Sequence, residues 1–278
     1  MSSSSTPQTP YAILPHPILI PPIPQPTRPS TFSYYGPIHS PSHPIASLAA
    51  TFLSTNTSTS TSGSPSPSPP EPETQSALTA LTTTLSTFLH ATHTSDANPP
   101  TQKASCWFTI RVTGPTTEYR TPRWHQDGRM YPYDTGTEHI VRSKYALTLL
   151  GPRTLMLIPS KHVSEILARG EEKHYPWQHP QTSTDADIIP IPTDDEMYDA
   201  DCALRAWLAE SYISAPRVPI GEGEIVRFSW GRDDSPVHSE PDLVGERVFV
   251  SVLYGSEEEI RGMCEWREAK YGEVSLEG

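Results

Sequence analysis

The stretch "SPVHSEPDLVGERVFVSVLYG", residues 235–255, contains the clearest strand of the chain. Its second half, 247–254, is rich in valine and aromatic side chains, which is typical of a β-strand. The segment "GEGEIVRFSWG", residues 221–231, precedes it and combines a glycine-rich turn with a second strand. This part of the chain therefore predicts short strands joined by turns and loops, with His238 between two of them.

Three segments nearer the N-terminus continue this pattern. They are "ASCWFTIRVTG" at 104–114, "EYRTPRWHQDG" at 118–128 and "RSKYALTLLGPRTLMLIPS" at 142–160. Strands that glycine and proline interrupt at intervals of about 8–12 residues are typical of sandwiches and barrels. We therefore predict a mainly β fold with peripheral helices.

The first 100 residues differ in composition from the rest of the chain. They hold 19 of the 32 prolines and four charged residues, whereas the remaining residues carry −10 of the net charge of −12. We predict a disordered proline-rich arm at 1–40, which is a candidate for docking against a partner protein. Residues 41–100 are predicted to form two helices around a disordered Ser/Thr/Pro linker at 54–74, and residues 101–278 an ordered domain.

The helices are predicted from apolar residues that recur with helical spacing. Such stripes lie at 43–53, 76–91 and 194–213, and a long polar insertion is expected at 161–195. Ser256 and Glu259 form the capping-box pattern, which predicts that a C-terminal helix begins at this point.

The charge and the cysteines limit the class of protein. An acidic chain is a poor ligand for nucleic acid or anionic membranes, so we expect neither as a partner. Three scattered cysteines indicate neither a disulfide framework nor a cysteine-rich zinc site. The N-terminal apolar segment is interrupted by prolines and predicts neither a signal peptide nor a membrane span, so we expect an intracellular protein, cytoplasmic or nuclear.

The spacing of His125 and Asp127 suggests a metal site. Residues i and i+2 of a strand point to the same face, so the imidazole and the carboxylate would project together. With a third ligand from a distant strand, they would form the 2-His-1-carboxylate set of non-haem Fe(II) enzymes. A hydrogen-bonded His–Asp pair on the surface is the alternative.

Together, "WHQDG", "RSKYALTLLGPRTLMLIPS" and the closing strands at 221–255 resemble the Fe(II)/2-oxoglutarate-dependent oxygenase superfamily, in an uncharacterised branch of it. The resemblance covers roughly residues 104–255. It implies a double-stranded β-helix core, of the jelly-roll or cupin-like kind, and Fe(II) bound by His125, Asp127 and His238. It also implies that Arg247 binds the far carboxylate of the co-substrate 2-oxoglutarate.

The sequence departs from the family at the co-substrate end of the site. Many members have Ser or Thr two residues after the arginine, where this chain has Phe249, and Ser251 follows on the same strand face. We expect Ser251, with Lys144 or Tyr145, to assist Arg247. The predicted activity is oxidation of a small molecule or a protein side chain. The alternatives are a non-catalytic binding or scaffold protein, and a metal-dependent enzyme that does not use 2-oxoglutarate.

Overall fold

The computed structural model describes residues 9–23, 25–38, 44–56, 72–127, 142–178, 192–230 and 235–272. Within these residues the chain forms eight strands and five α-helices. The strands are β1 (Tyr11–Ile13), β2 (Ser30–Pro37), β3 (Ser105–Thr113), β4 (Arg142–Leu150), β5 (Leu155–Met156), β6 (Val226–Trp230), β7 (His238–Ser239) and β8 (Arg247–Gly255). The helices are α1 (Ile45–Asn56), α2 (Pro72–Ser95), α3 (Lys161–His174), α4 (Asp194–Ser211) and α5 (Glu257–Tyr271).

Six of the strands form one antiparallel sheet in the order β1-β6-β4-β8-β3-β2. The two short strands β5 and β7 pair separately. Single bridges join this smaller sheet to further extended segments, one between His125 and His238 and one between Leu157 and Arg217. The fold is therefore a mainly antiparallel sheet with helices, as the spacing of the strands predicts.

The main hydrophobic core lies between one face of the large sheet and the helix pair α1 and α2. Leu53 of α1 and Phe88 of α2 are fully buried there, against Phe108 of β3 and Val250 of β8. Both helices were predicted, but α1 extends to Asn56 and α2 begins at Pro72. The rest of the predicted linker, 57–71, lies outside the described residues.

The prediction of a disordered arm at 1–40 is wrong for its described part. Strand β1 pairs with β6, and β2 pairs with β3 along its whole length, so the two segments form the edges of the sheet. The prediction rested on the high proline content of residues 1–40 as a whole. Residues 30–36 contain no proline, and Phe32, Tyr34 and Tyr35 within them are buried. Proline is tolerated beside edge strands, because an edge needs hydrogen-bond donors on one side only.

The region predicted as a polar insertion, 161–195, contains a helix. Ser160 caps α3 by accepting a hydrogen bond from the Val163 amide, and the apolar side of α3 packs on α4 through Ile166 and Leu208. The prediction missed this short amphipathic pattern. Residues 179–191 of the same region lie outside the described residues.

The two other predicted helices are confirmed, and both begin with a capping box. Thr193 and Glu196 exchange hydrogen bonds at the start of α4, and Ser256 and Glu259 do so at the start of α5. These pairs satisfy amide groups that would otherwise lack partners in the first helical turn. None of the described helices is both long enough and apolar enough to cross a lipid bilayer.

The packing of β2 leads to a stability prediction. Phe32 is only 5% exposed and packs against Phe52 and Phe108, with ring centroids 5.6 and 6.2 Å away. We expect Phe32→Ala to lower the free energy of unfolding by about 3–5 kcal/mol, because it leaves a cavity in the core. Urea unfolding would measure this, with Leu19→Ala as the control, since Leu19 is 90% exposed. A loss for Phe32→Ala no larger than that of the control would show that β2 does not belong to the folded core.

Candidate metal centre

His125 and His238 are held side by side by their backbones. The His125 amide donates to the His238 carbonyl at 2.9 Å, and the His238 amide donates to the His125 carbonyl at 2.9 Å. Two residues that exchange both hydrogen bonds in an antiparallel pair lie directly opposite each other, with their side chains on the same face. The two imidazole rings accordingly lie with their centroids 4.4 Å apart.

The same backbone orients both imidazoles. Nδ1 of His125 lies 2.7 Å from the Arg123 carbonyl, and Nδ1 of His238 lies 3.1 Å from the Pro236 carbonyl. A carbonyl oxygen only accepts hydrogen bonds, so each Nδ1 carries a proton and donates. In the neutral ring, Nε2 then has a lone pair for a metal ion, and histidine ligands usually donate their other ring N–H to a carbonyl or carboxylate in this way.

Asp127 completes a cluster of three ligands. Its Oδ1 lies 3.7 Å from Nε2 of His125, and its Oδ2 lies 3.5 Å from Nε2 of His238. The three residues each offer one ligand atom, and these atoms lie within 4.8 Å of one another. The three residues that the sequence analysis selected are therefore together in space, and the cluster could bind a metal ion.

Burial and the neighbouring charges favour the ligand forms of Asp127 and His125. Burial acts to raise the pKa of Asp127, but Lys144 and the two imidazoles hold it well below its usual range. Nζ of Lys144 donates to Oδ2 at 2.6 Å. Burial and then the neighbouring His238 lower the pKa of His125 to about 4. At neutral pH the carboxylate is thus ionised and His125 is neutral, as metal binding requires.

The cluster opens into a cavity of about 260 Å³ between the large sheet and the smaller one. Arg247 and Ser251, both predicted at the co-substrate end, lie on its wall. Nε of Arg247 donates to the Pro152 carbonyl at 2.9 Å, and Nη2 donates to Oγ1 of Thr154 at 2.8 Å. The guanidinium also lies 4.6 Å from the centre of the Phe249 ring, so it is fixed in one position on the wall.

The prediction that Tyr145 helps to bind the co-substrate is wrong. Successive side chains of β4 point to opposite faces, and Lys144 is the one that lines the cavity. Tyr145 is fully buried in the core on the other face, where its hydroxyl donates to Oδ2 of Asp96 at 3.3 Å.

Sequence reasoning also missed an ion pair beside the cluster. Arg123 and Glu240 lie two residues from His125 and His238, and Nη2 of Arg123 donates to Oε1 of Glu240 at 2.7 Å. Burial opposes ionisation of Glu240, yet His125 and Arg123 lower its pKa to about 2. The two-residue spacing that selected Asp127 could have indicated this pair. In an extended segment it places Arg123 on the same face as His125, and Glu240 on the same face as His238.

Two nitrogen ligands and one carboxylate beside an open cavity leave room for further ligands on a bound ion. This donor set suits Fe(II) and other first-row divalent metals. Comparison of the chain with protein-family models, curated proteins and solved structures finds no match in any of the three. The chemistry of this site is therefore argued from its own residues.

The cluster leads to a metal-binding prediction. We expect the full chain to bind one Mn(II) ion, and His125→Ala or His238→Ala to weaken binding by roughly 100-fold or more, because each removes one of three protein ligands. Isothermal titration calorimetry would measure both affinity and stoichiometry. His162→Ala is the control, since His162 is exposed on α3. Equal binding by all four proteins would show that the ion lies elsewhere.

Proposed function

We propose that this protein is an Fe(II)- and 2-oxoglutarate-dependent oxygenase. One observation carries the proposal: the His125–Asp127–His238 cluster opens into the same cavity whose wall holds the Arg247 guanidinium. A metal that keeps open positions and a cation fitted to a carboxylate are the two elements that a keto-acid co-substrate needs.

The arrangement of the two sheets supports a double-stranded β-helix core as part of this proposal. The smaller sheet consists of β5 and β7, and bridges at His125 and Arg217 extend it on both sides. It faces the large sheet across the cavity, so the cluster lies between two antiparallel layers. In this interpretation the smaller sheet is the short second sheet of a jelly roll.

Each residue of the site has a part in this function. His125, Asp127 and His238 would hold Fe(II), and the iron with 2-oxoglutarate would supply the activation of oxygen. Asp127 contributes one negative charge to the ion, and Lys144 keeps its carboxylate ionised and oriented. Arg247 can hold the far carboxylate of the co-substrate by its planar fork. The rings of Phe228 and Trp230 line the cavity and give it apolar surface.

One observation favours a second candidate function, a metal-dependent enzyme that does not use 2-oxoglutarate. Phe249 occupies the position where many family members have a hydroxyl, and its ring lies under the Arg247 guanidinium. The same guanidinium donates to Pro152 and Thr154, so part of its hydrogen-bonding capacity is used within the protein. Arg247 would then be a structural residue of the cavity wall.

The test is the visible spectrum of the protein with Fe(II) and 2-oxoglutarate under anaerobic conditions. We expect a metal-to-ligand charge-transfer band, because the keto acid would chelate the iron. The band should be absent in His238→Ala. Arg247→Gln should need roughly 10- to 100-fold more 2-oxoglutarate, because it loses a charge-assisted contact.

Arg169→Gln is the control for the loss of an arginine, since Arg169 is exposed on α3. A protein that binds iron without a band would support the second candidate and refute the first. Failure to bind iron at all would refute the oxygenase.

A further inference from the structure

One wall of the cavity is formed by alternate residues of β3. Trp107, Thr109 and Arg111 all face the cavity, while Phe108 and Ile110 between them lie in the core. Arg267 of α5 covers the Trp107 ring, with its guanidinium 4.6 Å from the ring centre. The two arginines therefore flank Thr109, and a strand rise of about 3.3 Å per residue places Trp107 and Arg111 roughly 13 Å apart.

The described lining of the cavity has an excess of positive charge. Its carboxylates are those of Asp127 and Glu240. Asp127 forms an ion pair with Lys144, and Glu240 forms one with Arg123. The lining contains three more cations, namely Arg111, Arg247 and Arg267. Among the described lining residues, cationic side chains thus outnumber carboxylates, which favours an anionic ligand.

Two polar atoms on this wall lack a partner among the described residues. They are Nε1 of Trp107 and Oγ1 of Thr109, and both are buried. Thr109 as a whole is only 7% exposed. A buried polar group without a hydrogen bond is costly, and most such groups in native proteins have a partner. An indole N–H and a hydroxyl next to two arginines would both be satisfied by an acceptor that carries negative charge.

We infer that the ligand of this wall is a small organic molecule with an oxyanion group, held by Arg111 and Arg267 together with Trp107 and Thr109. The inference rests on the proposed function in taking this ligand to be the substrate of the oxygenase, while Arg247 holds the co-substrate. A cavity of about 260 Å³ can hold a small molecule with such a group. Carboxylate, phosphate and sulfate share the chemistry that the wall recognises.

The test measures binding without iron or 2-oxoglutarate. The full chain, freed of metal by a chelator, is titrated with benzoate, phenyl phosphate and the neutral benzamide, and affinities are measured by ligand-observed NMR. We expect at least one of the two anions to bind about tenfold more tightly than benzamide, because a charge-assisted hydrogen bond contributes that much. Which anion binds more tightly would distinguish a carboxylate from a phosphate as the group recognised.

Variants place the anion within the cavity. We expect Arg111→Gln and Arg267→Gln each to weaken anion binding about tenfold, and Thr109→Val to weaken it a few-fold. Arg261→Gln is the matched control, because Arg261 is an exposed arginine on the same helix as Arg267. Arg247→Gln separates this wall from the co-substrate position, because anion binding that persists in this variant and falls in Arg111→Gln belongs to the wall formed by β3.

Three results would overturn the inference: equal binding of benzamide and the anions, no effect of the Arg111 and Arg267 variants, or a loss confined to Arg247→Gln. The last would place the anion in the co-substrate position. The charge-transfer band is measured separately, so the two hypotheses can fail independently. Anion binding without a band would refute the oxygenase and keep the anion site, and a band without anion preference would do the reverse.

Discussion

The site depends on two hydrogen bonds between the backbones of His125 and His238. They join segments that are far apart in the sequence, and they place the two imidazoles side by side. Each ring then donates from Nδ1 to a carbonyl of its own segment, so the backbone determines the tautomer as well as the position. Asp127 follows from the same pairing, because it lies two residues beyond His125. The three candidate ligands are therefore brought together by short extended segments.

One face of the large sheet packs in the hydrophobic core, and the other face lines the cavity. In β3, Phe108 and Ile110 pack under the helices, while Trp107, Thr109 and Arg111 face the cavity. Strands β4 and β8 divide their residues in the same way. A slip of one residue in the register would exchange the two sets and would put charges into the core. The requirement for a stable core and the requirement for an ordered site are therefore met by the same pairing of strands.

How much could be predicted from the sequence depended on how local each signal was. His125 and Asp127 were found from a two-residue spacing, and α4 and α5 from apolar and capping patterns within one segment. The face of Tyr145 was not predictable, because β4 is covered on both sides and its sequence does not show which residues point to the cavity. The strands β1 and β2 were missed because their partners β6 and β3 are distant in sequence, and because neighbouring prolines dominated the composition. Arg267 joins the cavity only through tertiary packing.

The pairing of β1 with β6 also affects the order of events during synthesis of the chain. Tyr11 pairs with Phe228, so β1 leaves the ribosome roughly 200 residues before its partner exists. At translation rates of about 5–20 residues per second, it remains without that partner for roughly 10–40 s. A segment that waits this long with an unpaired edge is exposed to aggregation. The prolines on either side of β1 favour an extended segment and limit its pairing with other chains, so the composition that resembles disorder protects a strand whose partner is distant in the sequence.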